Sequence, residues 1–139
     1  MFRYSVTAVA GDIDELDHVS NQVYVRWVME AALAHSAALG WGYPQYRESG
    51  AVFIVRRHEI DYLIPIVAGD RIACDTWVDS WRQASCIRKT TLSRGDEVVA
   101  RAATTWAYVG WRDGRPLRIP DDLRALRLVR RGTGALTIV

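Results

Sequence analysis

The stretch NQVYVRWVMEAALAHSAAL, Asn21–Leu39, decides the fold. Within it Tyr24, Trp27, Val28, Ala31, His35, Ala38 and Leu39 recur at i, i+3, i+4 and i+7 spacing, which predicts an α-helix with one buried face. Ser20 or Asn21 can cap its start, and Gly40 followed by Pro44 can end it. Val23, Val25, Met29, Ala32, Leu33 and Ala37 carry apolar character round the other faces. Such a helix is expected to be enclosed on several sides.

On either side of the helix the chain reads as strand. Arg3–Ala10 is rich in strand formers, and Gly11–Asp17 follows as a loop carrying Asp12, Asp14, Glu15 and Asp17. Further on, Val52, Ile54, Arg56, His58, Ile60, Tyr62 and Ile64 alternate as one face, stopped by Pro65. Turn signals at Gly69-Asp70, Ser80–Ala84, Gly95-Asp96 and Asp113-Gly114 separate further strands. These are expected over Arg71–Trp81, Ser85–Arg94 and Val98–Trp111, with a short one ending at Pro120. A brief helix capped by Asp121 and running to Leu128 comes next, then a loose tail over 129–139. One helix cannot cover both faces of such a sheet. The expected architecture is therefore a single α+β domain, 1–139, with the helix across the concave face of a curved antiparallel sheet. The open face or edge invites pairing with a second copy.

Composition narrows the function. The chain has 139 residues, 50% hydrophobic and 24% charged, with a net charge of +2. That is one domain with a sizeable core, and neither a disordered chain nor a membrane span. Met1–Ser5 lacks the apolar run of a signal peptide, so a cytoplasmic protein with reduced Cys74 and Cys86 is expected. All the basic residues but Lys89 are arginine, yet they are spread among 16 acids. That is no footprint for nucleic acid, although a phosphate-rich small molecule fits. His18, His35 and His58 lie too far apart for a metal site, and His35 and His58 read as packing residues.

Chemistry concentrates in Asp12–Tyr24, where carboxylates, His18 and Asn21 run straight into the helix. The first N–H groups of a helix lack internal partners and carry partial positive charge, so a developing oxyanion is stabilised there. This places a candidate base or nucleophile beside a candidate oxyanion site. The alternative is purely structural, since acids before a helix also serve as caps and dipole partners.

The pattern Asp12-x-Asp14-x-x-x-His18-Val19-x-Asn21-x-x-Tyr24, followed by Trp27, resembles the hot-dog-fold acyl-CoA thioesterases of the 4-hydroxybenzoyl-CoA thioesterase type. Glu59-Ile60-Asp61-Tyr62, Pro65, Gly69-Asp70, Trp106, Arg115-Pro116 and Ile119-Pro120 extend the resemblance over roughly residues 3 to 126. It implies hydrolysis of acyl-CoA, or acyl-carrier-protein, thioesters by a homodimer or homotetramer with the acyl pocket at the subunit interface. Coenzyme A would enter as part of the substrate, with no separate cofactor. By the same resemblance Asp14 is the catalytic carboxylate and the Asn21 N–H the oxyanion donor, while His18, the Asn21 side chain, Tyr24 and Trp27 shape the pocket. Arg56, Arg57, Arg82 and Arg88 are candidates to meet the coenzyme A phosphates. Two departures stand out. Asp17 occupies a position where the family usually has Gly, and it is expected either to cap the helix or to oppose the charge of Asp14. Met29 and Ala32 replace an acid and an arginine of many relatives, so hydroxybenzoyl specificity is not carried over. A hot-dog hydratase or dehydratase and a non-catalytic acyl- or protein-binding domain are the competing readings.

Overall fold

Nine elements precede residue 126 in the computed structural model. They are β1 (Phe2–Thr7), a 3-10 turn (Ala10–Asp12), α1 (Asn21–Ala38), α2 (Tyr43–Ser49), β2 (Ala51–Tyr62), β3 (Arg71–Trp81), β4 (Ser85–Arg94), β5 (Glu97–Gly110) and α3 (Asp121–Ala125). Side chains are described for residues 1–126, and beyond them the backbone strands β6 (Leu128–Arg130) and β7 (Leu136–Ile138) pair antiparallel. Residues 127, 131–135 and 139, within or beside the expected tail, lie outside the described residues. The five long strands form one antiparallel sheet in the order β1-β3-β4-β5-β2. With α1 packed on one face, this is the expected α+β hot-dog fold.

Helix α1 begins where its sequence signals put it. The Ser20 side chain accepts from the Gln22 N–H at 3.4 Å, and Gly40, at φ 87°, supplies the left-handed residue that ends the helix. Pro44 does not merely follow that end. It opens the unexpected α2, sitting in the first turn, where a missing N–H costs nothing. Val23, Tyr24, Trp27, Val28, Ala31, Ala32, His35 and Ser36 are the buried face of α1, whereas Ala38 and the half-buried Leu39 fall away from it. The main core sets Tyr24, Trp27 and Val28 against Ile72, Leu92 and Ala100 of the sheet.

Strand β2 departs from the expected alternation. Val55 pairs with Trp106 and Arg57 with Thr105, so Arg56 is an extra, bulged residue. The bulge shifts the side-chain period by one. Ala51, Phe53 and Val55 therefore face the helix before it, and His58, Ile60 and Tyr62 face it afterwards. The expected Val52, Ile54 and Arg56 face is corrected to the opposite set. A second correction concerns the chain after Asp113-Gly114. It forms an isolated bridge, Val109 with Pro116, and not a strand. At α3 the cap position is Pro120, and Asp121 is inside the helix.

Beneath α1 the sheet carries a buried polar group of side chains. Arg88 donates from Nη1 to Thr76 Oγ1 at 3.2 Å and stands 2.9 Å from His35 Nδ1. A guanidinium can only donate, so His35 Nδ1 is the acceptor and the ring proton sits on Nε2. Thr90 Oγ1 donates to Thr76 Oγ1 at 3.1 Å, and Phe2 stacks on the His35 ring at 5.0 Å. His35 is thus a packing residue, as its helix position implies, and a hydrogen-bonded one.

Candidate active site

The loop before α1 folds as a tight hairpin. The Asp14 N–H donates to His18 O at 2.9 Å, Asp17 N–H to Asp14 O at 3.1 Å, and Ser20 N–H to Asp12 O at 2.9 Å. Ile13 and Val19 face each other across it. Asp17 adopts φ 62°, the left-handed residue that closes a three-residue hairpin loop. This explains the glycine of the family pattern. Glycine takes that conformation without penalty, and aspartate is among the residues that tolerate it.

Asp17 therefore serves the turn, and the expectation that it caps α1 is corrected, because Ser20 holds that place. The exposed Asp17 side chain takes part in no hydrogen bond or ion pair among the described residues. Asp17→Gly is accordingly expected to raise unfolding free energy by about 0.5–1 kcal/mol through relief of left-handed strain. Denaturant unfolding followed by circular dichroism checks this; an unchanged or lower midpoint would mean that the carboxylate contributes more than the strain costs.

The hairpin is anchored from two sides. The Val19 N–H donates to Ile66 O at 2.8 Å, with both side chains in the core. Asp12 is buried; its Oδ2 accepts from the Val9 N–H at 3.0 Å and its Oδ1 from Arg26 Nη2 at 2.8 Å. The backbone hydrogen bond first, and then Arg26, hold the Asp12 carboxyl below the usual carboxylate range. Its contribution to stability is full above the ordinary aspartate range and is lost as pH falls through that lowered value. Of the two acids in Asp12-x-Asp14, the first ties the loop to α1.

The second is held less fully. Asp14 is half-buried, and its Oδ1 accepts from the Leu16 N–H at 2.9 Å while Oδ2 makes no hydrogen bond among the described residues. The hairpin pairs Asp14 with His18, three residues before α1 opens at Asn21. There Gln22 N–H is satisfied by Ser20 Oγ and Val23 N–H by Ser20 O, whereas the Asn21 N–H has no acceptor among the described residues. An unsatisfied amide at the positive end of an 18-residue helix is suited to receive an oxyanion. His18 and the Asn21 side chain are exposed beside it.

The remaining expected residues divide. Tyr24 and Trp27 are 3% and 2% exposed, in the core, with Tyr24 edge-on to Tyr62 at 4.8 Å. Arg56, Arg57 and Arg82 come together round a surface hollow of about 370 Å³ with Ser80, Ser85 and Thr105. The bulge at Arg56 helps to bring them there, on the sheet face away from α1. Arg57 also pairs with Glu59. Arg88 does not join them, because even-numbered β4 residues point inward and its guanidinium is buried against His35 and Thr76. Its place among the phosphate-facing arginines is corrected. The three hydroxyls of the hollow carry no signal in the linear sequence. His58, on β2, lies 2.9 Å from Thr104 Oγ1 through Nδ1, and burial lowers its pKa. No described helix is long and apolar enough to cross a membrane.

The fold and this hairpin define a class, the hot-dog thioester hydrolases. The chain belongs to the Thioesterase-like superfamily, whose family pattern matches residues 8–126. No curated protein matches it in sequence comparison. Among solved structures it is similar to a 1,4-dihydroxy-2-naphthoyl-CoA thioesterase from Synechocystis, with a TM-score of 0.81 and 16% identity over 90% of this chain and 93% of that one. A DHNA-CoA thioesterase from Staphylococcus aureus gives 0.78 and 18% identity over 84% and 79%. A protein from Aquifex aeolicus gives 0.84 and 19% over 91% and 98%.

Proposed function

We propose that this protein hydrolyses acyl-CoA thioesters to the free acid and coenzyme A, with Asp14 and the Asn21 N–H as its working groups. The observations that support the reading are an Asp14 carboxylate oxygen without a partner among the described residues and, seven residues further on, an unsatisfied amide at the start of α1. The Asp14 carboxylate attacks the thioester carbonyl or takes a proton from the attacking water. The carbonyl oxygen gains the negative charge and is held at the Asn21 N–H. Collapse expels the thiolate, a tolerable leaving group because an ordinary thiol has a pKa near ~8.5. After direct attack, water then cleaves the acyl anhydride left on Asp14, which releases the free acid and restores the carboxylate. No strong general acid is needed.

The test is a panel of acyl-CoA and acyl-carrier-protein thioesters, with free thiol and water addition to enoyl chains followed separately. Thiol release supports the reading. Water addition without thiol release replaces it with a hydratase, and neither activity leaves a binding domain.

The arginine hollow supports a coenzyme A substrate, with Arg56, Arg57 and Arg82 meeting its phosphates. Exposed charge pairs are screened by salt. The Michaelis constant for acyl-CoA is therefore expected to rise with ionic strength more than that of a short acyl thioester lacking the nucleotide. Equal responses would remove the hollow from the substrate site.

The sheet edge supports self-assembly. β2 is a 12-residue strand paired on one side only, and such an edge is a template for another strand. Two copies joined antiparallel along β2 place the Asp14 hairpin of one copy toward the α1 C-terminal half of the other, so the acyl pocket lies between subunits. Sedimentation equilibrium is expected to give a homodimer or homotetramer; a stable, active monomer would contradict it.

A further inference from the structure

Arg26 lies on α1 past Asn21, and its guanidinium reaches two carboxylates. Nη2 donates to the buried Asp12 Oδ1 at 2.8 Å, and Nε lies 3.5 Å from Glu30 Oε1, about one turn along the helix. Glu30 is held in turn from β1, where Tyr4 Oη donates to its Oε2 at 3.1 Å. Asp12 is a junction. Its Oδ2 accepts from the Val9 N–H at 3.0 Å, its carbonyl accepts from the Ser20 N–H at 2.9 Å, and its own N–H donates to Val9 O at 2.9 Å. Through it the start of the Asp14 hairpin meets the residue that caps α1. Among the described residues Arg26 is the one side chain that donates to the Asp12 carboxylate.

We infer that Arg26 is a positioning residue: by clamping Asp12 to α1 it fixes where the Asp14 carboxylate stands relative to the Asn21 N–H. Asp14 follows Asp12 closely and Asn21 follows Ser20 directly, so neither keeps its place if the junction shifts. Charge makes the clamp firm. A buried carboxylate deprived of its cation is left uncompensated, and it moves toward water or takes up a proton. Either response releases the Asp12 end of the hairpin. Arginine suits the task, because a planar guanidinium meets two carboxylates at once and keeps its charge. Arg26 makes no hydrogen bond to Asp14 or Asn21 among the described residues, so its effect is exerted through Asp12. That these two groups cleave a thioester rests on the proposed function; their dependence on Arg26 does not.

The test compares Arg26→Met, which keeps most of the apolar stem and loses the charge, with Arg26→Lys, which keeps a cation for Asp12. Amide hydrogen exchange, followed by 15N NMR, and steady-state kinetics with the best thioester of the panel are measured on each full-length variant. In the Met variant the Asp14 and Ser20 amides are expected to exchange about ten- to a hundredfold faster, while those of β3, β4 and β5 keep their rates. Misplaced groups lower turnover, so kcat is expected to fall about ten- to a hundredfold, with KM changed by less than about twofold. The Lys variant is expected to recover most of both losses. Uniformly faster exchange across the sheet would overturn the inference, since that is lost global stability alone. So would unchanged exchange at both amides, an unchanged kcat in an active enzyme, or a Lys variant no better than the Met one. Should the Met variant fail to fold, Tyr4→Phe, which deletes only the hydroxyl holding Glu30, takes its place. The same selective speeding, about twofold or more, is then required. Selective speeding without any thiol release by the unaltered protein would sink the thioesterase reading and leave the Arg26 clamp standing.

Discussion

Asp14→Asn is expected to lower kcat by about 10²–10⁴-fold, the range for losing a positioned base, and by more if the carboxylate attacks directly. The structure makes this substitution a clean one. Asn keeps the Oδ1 atom that accepts from the Leu16 N–H, so the turn that shapes the hairpin survives. The backbone bonds of Asp14 to His18 and Asp17 are untouched by any side-chain change. Loss of turnover with an unaltered thermal midpoint would therefore report chemistry and not folding. Steady-state kinetics with the best substrate of the panel, beside a melting curve, measures both. An Asn variant retaining most of its turnover would remove Asp14 from the catalytic role.

Trp27→Ala is expected to cost about 3–5 kcal/mol of stability, the range for emptying a large aromatic site in a core. Trp27 is 2% exposed and packs from α1 into the main cluster of the sheet. A typical domain has about 5–15 kcal/mol in total, so the variant should unfold at much lower denaturant or fail to accumulate. The same substitution tests the two roles that meet at this residue. A substrate-contacting tryptophan would raise the Michaelis constant with little change in stability. A core tryptophan would lower the denaturation midpoint first. Trp27→Phe, which refills most of the space, should restore most of the midpoint in the second case.

The local signals were legible because they are contiguous. Helix α1 starts at the Ser20 cap and ends before Gly40, and β3 and β4 occupy the expected spans because turn residues bracket each of them. The candidate site was legible for the same reason: Asp14, His18 and Asn21 sit within one hairpin and one helix start. Even the misfit at Asp17 is informative, since a single backbone angle accounts for the usual glycine there. Pro44 shows the limit of such signals. A proline both follows one helix and opens the next, and the residue itself does not say which.

By itself, then, the sequence determined the order of strands and helix, the capped start of α1 and the acid-bearing turn that precedes it. Tertiary structure alone decided which face β2 turns inward along its length. The alternation along β2 has period two throughout the sequence, but the bulge at Arg56, set by pairing with β5, inverts the face of everything before it. The same register gathers Arg56 and Arg57 with Arg82 on the outer face, while Arg88, on the inner side of β4, is drawn beneath α1 to Thr76 and His35. It also buries the Trp106 N–H without an acceptor. Pairing across a sheet joins residues tens of positions apart, and a one-residue shift in register exchanges core for solvent, so no local pattern can fix it.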